Sequence, residues 1–161
     1  TRCSRDWSSD VCSSDLTGVD SMSNDWVKDI NEMHKHYGFH RAADKLSAKQ
    51  MLEYYEFRVK FLEEELNELK SATNPDEAID ALIDLCVVAI GTLDVFKIDS
   101  KTAWNRVLEA NMNKRVGVKE SRPNPLGLPD LIKPEGWKAP DHTDQRTDLD
   151  FIFLEKWIDK K

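Results

Sequence analysis

The amino-acid sequence predicts an all-α fold that ends in an irregular, proline-rich C-terminal arm. Apolar residues between residues 24 and 114 recur every three to four positions, which is the period of an amphipathic helix. The alternation typical of a half-buried strand does not occur in that region. After Val118 five prolines follow within 23 residues, so residues 118–145 are expected to be irregular.

The first two predicted helices have recognisable ends. Residues 24–37 carry an apolar stripe, and Gly38 follows as the residue that ends the helix. Ser47 and Gln50 have the spacing of a capping box, so a long second helix is expected over residues 47–71.

The next two predicted helices also follow from cap residues. Asn74 and Pro75 supply a side-chain cap and a proline at the first helical position, which predicts a third helix that ends near Phe96. Ser100 is the expected cap of a fourth helix that ends near Lys114. The apolar stretch of residues 150–157 fits either a strand or a short helix.

The length and composition predict one domain. Residues 1–16 include DWSSDVCSSDL, which is the translation of a widely used sequencing adapter, so this segment is expected to be an artefact and Met22 to lie near the native start. Residues 22–116 form the predicted domain. Residues 117–161 form an arm that packs on this domain or on a neighbouring subunit.

The charge and cysteine content exclude several classes of protein. A net charge of −7 and a pI of about 5.1 argue against nucleic-acid or anionic-membrane partners, because phosphate groups select basic surfaces. Without residues 1–16 a single cysteine remains, Cys86, which indicates neither a disulfide framework nor a zinc site. The apolar run 78–93 is too short to span a bilayer, and a cytoplasmic location is expected.

Acidic residues form the most informative pattern. Glu64, Glu65 and Glu68 crowd the second predicted helix, where a solvated face is the ordinary explanation. Asp80 and Asp84 lie one turn apart in a helix that is apolar on nearly all sides, so burial of both carboxylates is expected. Buried carboxylates need cations, and no lysine or arginine occurs between Lys70 and Lys97.

The donor set of these five residues suits a hard divalent ion. Mg²⁺ prefers carboxylate oxygens and retains positions for water and phosphate, and Mn²⁺ is the alternative. Zinc would require nearby histidine or cysteine ligands. The three histidines at positions 34, 36 and 40 are interpreted as ordinary surface residues.

These motifs together resemble the superfamily of MazG-like and phosphoribosyl-ATP pyrophosphohydrolases. The resemblance covers about residues 50–116 and rests on Glu64-Glu65-x-x-Glu68, the acidic pair in DALIDLCVVAIGTL, and EANMNKR. The arm is similar to that of phage-encoded members.

The resemblance implies a four-helix bundle that oligomerisation completes, as a homodimer or homotetramer. It also implies that Asn111 and Lys114 contact the nucleotide. The family pattern on the second acidic helix is Glu-x-x-Asp, so Glu77 with Asp80 competes with Asp80 and Asp84 as the metal-binding pair.

The resulting hypothesis is hydrolysis of a nucleoside or deoxynucleoside triphosphate to the monophosphate and pyrophosphate. Mg²⁺ bound by Glu64, Glu65, Glu68, Asp80 and Asp84 would lower the pKa of a water that attacks the α phosphorus. Glu65 is the expected general base, and Lys114 would neutralise charge on the phosphates.

Two alternatives remain open. One alternative is a narrower substrate, such as dUTP, dGTP or phosphoribosyl-ATP, because no residue pattern fixes the base. The chain is otherwise a non-catalytic helical module whose carboxylates pair with basic residues of another chain.

Overall fold

The described part of the chain, residues 24–122, 126–127 and 130–158 of a computed structural model, contains six α-helices and one small sheet. The helices are α1 (Trp26–Tyr37), α2 (Phe39–Ala43), α3 (Ala48–Ser71), α4 (Pro75–Val95), α5 (Ser100–Met112) and α6 (Leu149–Ile158). The strands β1 (Arg115–Val116) and β2 (Leu131–Ile132) pair antiparallel, and a 3-10 turn covers Thr143–Gln145. The all-α prediction is confirmed. The expected adapter segment, residues 1–16, lies outside the described residues.

Local capping explains where the long helices begin. The hydroxyl of Ser47 accepts a hydrogen bond from the backbone N–H of Gln50, whose side chain accepts from the backbone of Ser47 in return. Asn74 caps α4 through the backbone N–H of Glu77 at 3.0 Å. The predicted cap of α5 was wrong by one residue, because Asp99 accepts from the Thr102 N–H and Ser100 is already helical.

A sharp corner after α1 creates a helix that the sequence pattern did not predict. Gly38 adopts φ = 75°, a left-handed conformation in which a side chain would be strained, and α2 starts at the next residue. The five residues of α2 are too few to show a helical period. The corner turns His40 back towards α4.

The pairing of α3 with α4 forms the frame of the fold. A turn of three residues, 72–74, joins the two helices, so they run antiparallel. Arg58 is buried in their interface and donates to the Val88 carbonyl at 2.8 Å and to the Thr92 hydroxyl at 2.9 Å. Gly91 makes this approach possible, because a Cβ there would lie 3.3 Å from the Arg58 guanidinium and 3.2 Å from the His34 ring.

The C-terminal residues take part in the apolar core. Ile152 of α6 is fully buried in a cluster with Met51, Leu52 and Phe96. The choice between strand and helix for this segment is therefore settled in favour of a helix, which packs against α3.

Two further contacts fasten the arm to α5. The Trp137 indole N–H donates to the Ala110 carbonyl at 2.7 Å. Arg106 forms a bidentate ion pair with Asp144, in which Nη1 donates to Oδ1 at 2.5 Å and Nη2 donates to Oδ2 at 2.8 Å. The arm is thus held on the same chain at residues 137 and 144. Among the described helices, none combines the length and the apolar composition that crossing a bilayer requires.

We predict that Ile152→Ala lowers the free energy of unfolding by about 2–5 kcal/mol, because it removes buried methylene groups and leaves a cavity. Leu154→Ala is the matched control, since Leu154 lies two residues away and is 57% exposed. Its expected effect is below about 1 kcal/mol. Urea denaturation measures both changes, and equal effects of the two variants would show that α6 does not dock as described.

Candidate active site

The carboxylate of Glu65 is the most unusual group in the α3–α4 interface. Glu65 is only 6% exposed, and its Oε2 atom has no hydrogen-bond partner. Burial of a charged oxygen without a donor is unfavourable by several kcal/mol unless a cation or a proton compensates. This buried oxygen is therefore a position at which a cation or a proton would be favourable.

Three other carboxylates act on Glu65. Burial is the main cause that raises the pKa of Glu65 above its ordinary value, and the negative charges of Glu68, Asp84 and Glu64 raise it further. Four of the five predicted ligands therefore share one electrostatic neighbourhood that spans α3 and α4. Such a cluster attracts a divalent cation.

The predicted burial of Asp80 and Asp84 was wrong, because both residues are exposed. The buried positions of α4 form one stripe, Ala81, Val88, Gly91 and Val95. The other apolar sides of the helix face outwards, where Ile79, Leu82 and Ile83 are 57%, 50% and 45% exposed. An apolar helix is buried on all sides only when neighbouring elements cover every side. The described residues of this chain leave the sides of α4 that carry Ile79, Leu82 and Ile83 exposed.

The five predicted ligands do not converge closely. Within the described residues, the one group of three or more histidine, cysteine or acidic side chains whose ligand atoms lie within 4.8 Å of one another is elsewhere, at His34, His40 and Asp94. Asp80 is one helical turn before Asp84 on the exposed side of α4.

The competing candidate, Glu77, has a different local role. Its Oε2 atom accepts hydrogen bonds from the Thr73 backbone N–H at 2.7 Å and from the Thr73 hydroxyl at 3.0 Å. These bonds, the backbone one first, lower the pKa of Glu77. The Glu77 carboxylate closes the turn between α3 and α4, whereas Asp84 is among the charges that raise the pKa of Glu65.

Asn111 and Lys114 lie at the end of α5, where the arm meets the bundle. Both side chains are half-buried. The Lys114 Nζ atom is 5.6 Å from the ring centroid of Trp137, and the Lys133 Nζ atom is 4.5 Å from the same centroid. Sequence reasoning did not single out Trp137 or Lys133, because their proximity to Lys114 depends on the β1–β2 pairing.

The interpretation of the histidines as surface residues was wrong for His34, which is 4% exposed. Its Nδ1 atom lies 2.6 Å from Oδ2 of Asp94, and the Nε2 atom of His40 lies 2.6 Å from the same oxygen. Asn31 donates to Oδ1 of Asp94 at 2.7 Å. His36, whose spacing to His40 is helical, is exposed and lies outside this cluster.

The Asp94 carboxylate remains ionised in this setting. Burial opposes its charge, but hydrogen bonds from Asn31, His40 and His34 outweigh burial and lower the pKa of Asp94. The sequence contained no signal for this cluster, because His34 and His40 lie 60 and 54 residues before Asp94 and the chain turns at Gly38 to bring both to it.

Comparison with known proteins gives one family match, which lies in the helical region. Residues 32–111 match the sequence model of the phosphoribosyl-ATP pyrophosphohydrolase family, and this region covers α2, α3 and α4, half of α1 and nearly all of α5. No curated protein matches the chain. The family description is that of a hydrolase that acts on a pyrophosphate anhydride, and the resemblance predicted from the acidic motifs is confirmed. Over residues 32–111, which are 80 of its 161 residues, the chain is similar to the phosphoribosyl-ATP pyrophosphohydrolase family.

Proposed function

We propose that this protein hydrolyses a nucleoside or deoxynucleoside triphosphate between the α and β phosphates in a metal-dependent reaction. The observation that carries the proposal is the buried, unpartnered oxygen of Glu65 with three more carboxylates acting on it. The family match supports the class of reaction. Phosphoribosyl-ATP also contains a triphosphate. It is the second candidate substrate, because the matching family is named after its hydrolysis.

The residues around Glu65 fit a magnesium ion. Glu64, Glu65, Glu68 and Asp84 would hold Mg²⁺, or Mn²⁺, with Asp80 as a further carboxylate on the exposed side of α4. When bound, the ion would neutralise phosphate charge and lower the pKa of water. Without a cation, the same carboxylates repel one another and destabilise the α3–α4 interface.

The proposed chemistry assigns Glu65 the role of general base. An ionised Glu65 takes the proton from a water whose oxygen forms a bond to the α phosphorus, while the bond from that phosphorus to the bridging oxygen breaks. The electron pair leaves with pyrophosphate. Lys114 would stabilise negative charge on the phosphates, and Asn111 would contact the nucleotide.

We also propose that the protein assembles into a homodimer or homotetramer. Large apolar residues that are exposed on α4 and on α5 support this proposal, because a partner chain would remove them from water. They are Ile79, Leu82, Ile83, Trp104, Val107 and Leu108. A second chain on this surface would also reduce the exposure of Asp80 and Asp84. Sedimentation analysis would give the mass of the assembly.

The experiment that tests the proposed reaction is a substrate panel. Pyrophosphate release is measured for each ribo- and deoxyribonucleoside triphosphate and for phosphoribosyl-ATP, with Mg²⁺, with Mn²⁺ and with a chelator. Release that requires a metal would establish the reaction and name the substrate. Absence of release from every compound would leave the non-catalytic helical module as the better account.

Asp84→Ala is predicted to abolish turnover and to weaken Mg²⁺ binding. The side chain supplies one of the carboxylates that act on Glu65, and its removal deprives the cation of a ligand. Glu63→Ala is the matched control, because Glu63 is an exposed acid on the same helix as Glu65 and is not among the charges that raise the pKa of Glu65. Calorimetric Mg²⁺ titration and pyrophosphate release measure both effects. Wild-type binding by Asp84→Ala would remove this residue from the site.

Glu65→Gln is predicted to stabilise the metal-free protein while it abolishes turnover. A group with a raised folded-state pKa contributes stability below its unfolded pKa and loses that contribution as the pH rises through the folded value. Above that folded-state pKa the wild-type protein carries an unfavourable buried charge, which glutamine removes.

Thermal unfolding in chelator and in Mg²⁺ tests this prediction. The melting temperature of Glu65→Gln should exceed that of the wild type in chelator, and Mg²⁺ should raise the wild-type value more than the variant value. A variant that is less stable than the wild type in chelator would contradict the account of Glu65.

A further inference from the structure

The cluster of His34, His40 and Asp94 is separate from the acidic residues around Glu65. Asp84 and Asp94 both belong to α4, and ten residues of α-helix separate them by about 15 Å along the axis. The cluster also differs in chemistry, because it combines two imidazoles with one carboxylate. None of its residues has a part in the proposed hydrolysis.

We propose that this cluster is a second metal site, which binds a divalent transition ion of the zinc type. Its ligand atoms would be Nδ1 of His34, Nε2 of His40 and Oδ2 of Asp94, which come from α1, α2 and α4 and lie within 4.8 Å of one another. Two histidines and one carboxylate are a common ligand set for zinc, which accepts a fourth ligand from water.

The distances from the two ring nitrogens to Asp94 require only a small adjustment. Each ring nitrogen lies 2.6 Å from Oδ2 of Asp94, a hydrogen-bond distance. Around a tetrahedral zinc ion with bonds of about 2.0–2.1 Å, ligand atoms are about 3.3 Å apart. The rings would therefore separate from Asp94 by about 0.7 Å, and the exposed side of α2 leaves His40 room to do so.

The surroundings of Asp94 also suit a metal ligand. Asn31 donates to Oδ1 and fixes the orientation of the carboxylate, which leaves Oδ2 as the ligand atom. His34 is buried, whereas His40 is half-buried and provides the route by which an ion enters. The Arg58 guanidinium and the His34 ring both lie next to Gly91, and the guanidinium donates hydrogen bonds to the Val88 carbonyl and the Thr92 hydroxyl.

Metal binding here would fasten the α1–α2 corner to α4. In the absence of the ion, the same contact is made by hydrogen bonds to Asp94. A bound ion would replace them with stronger bonds and raise the thermal stability of the protein. The expected role is therefore structural and independent of pyrophosphate release.

The test is a calorimetric titration of Zn²⁺ into the full-length chain, in the presence of competing Mg²⁺. Cys3 and Cys12 are changed to serine in every sample, because thiolates also bind zinc. We expect one zinc ion per chain and an increased melting temperature. Co²⁺ as an optical probe should give the visible absorption of a tetrahedral complex.

His40→Ala should weaken zinc binding by at least about tenfold, since loss of even an outer-shell group has that effect. His36→Ala is the matched control, because His36 is an exposed histidine of the same segment. Nitrogen NMR of the wild-type histidine rings adds a readout that needs no variant, and zinc should shift Nδ1 of His34 and Nε2 of His40.

Three results would overturn the proposal: absence of zinc binding, equal zinc affinity in His40→Ala and the wild type, or ring-nitrogen shifts confined to other histidines. The outcome does not depend on catalysis. Zinc binding to a protein without pyrophosphohydrolase activity would support this site and contradict the proposed function. Activity in a protein that does not bind zinc would support the proposed function and contradict this site.

Discussion

A carboxylate buried between two helices without a donor sets the main constraint on this structure. Glu65 lies in the α3–α4 interface, where burial and three neighbouring acids raise its pKa. Other polar groups in the interface have hydrogen-bond partners. The Arg58 guanidinium donates to the Val88 carbonyl and to the Thr92 hydroxyl. The unfavourable group is thus held in place by its favourable neighbours, as is common at functional sites.

The two faces of α4 carry different kinds of polar site on one rigid element. Asp84 lies with the acids of α3 in a hard-oxygen cluster, whereas Asp94 meets imidazoles from α1 and α2. Between them, Gly91 lets the His34 ring and the Arg58 guanidinium approach the helix backbone. A change at Gly91 would therefore disturb α1, α3 and α4 together.

Structural features that depend on residues close together in the sequence could be predicted. The capping box of Ser47 and Gln50, the helix end at Gly38 and the acidic motif around Glu65 are all local patterns, and the structure contains each of them. Features that depend on distant contacts were missed or wrong. The His34–Asp94 contact spans 60 residues, and the exposure of Asp84 depends on which sides of α4 the chain covers. Hydropathy alone does not contain that information.

The most direct test of the account is a titration of the Glu65 side chain by carboxyl-carbon NMR, with and without Mg²⁺. The account predicts that in chelator Glu65 titrates above the ordinary range of a glutamate, and that Mg²⁺ moves its titration to lower pH because the cation stabilises the ionised form. An ordinary pKa for Glu65 in chelator, or a titration that Mg²⁺ leaves unchanged, would contradict the claim that this buried carboxylate is a metal ligand.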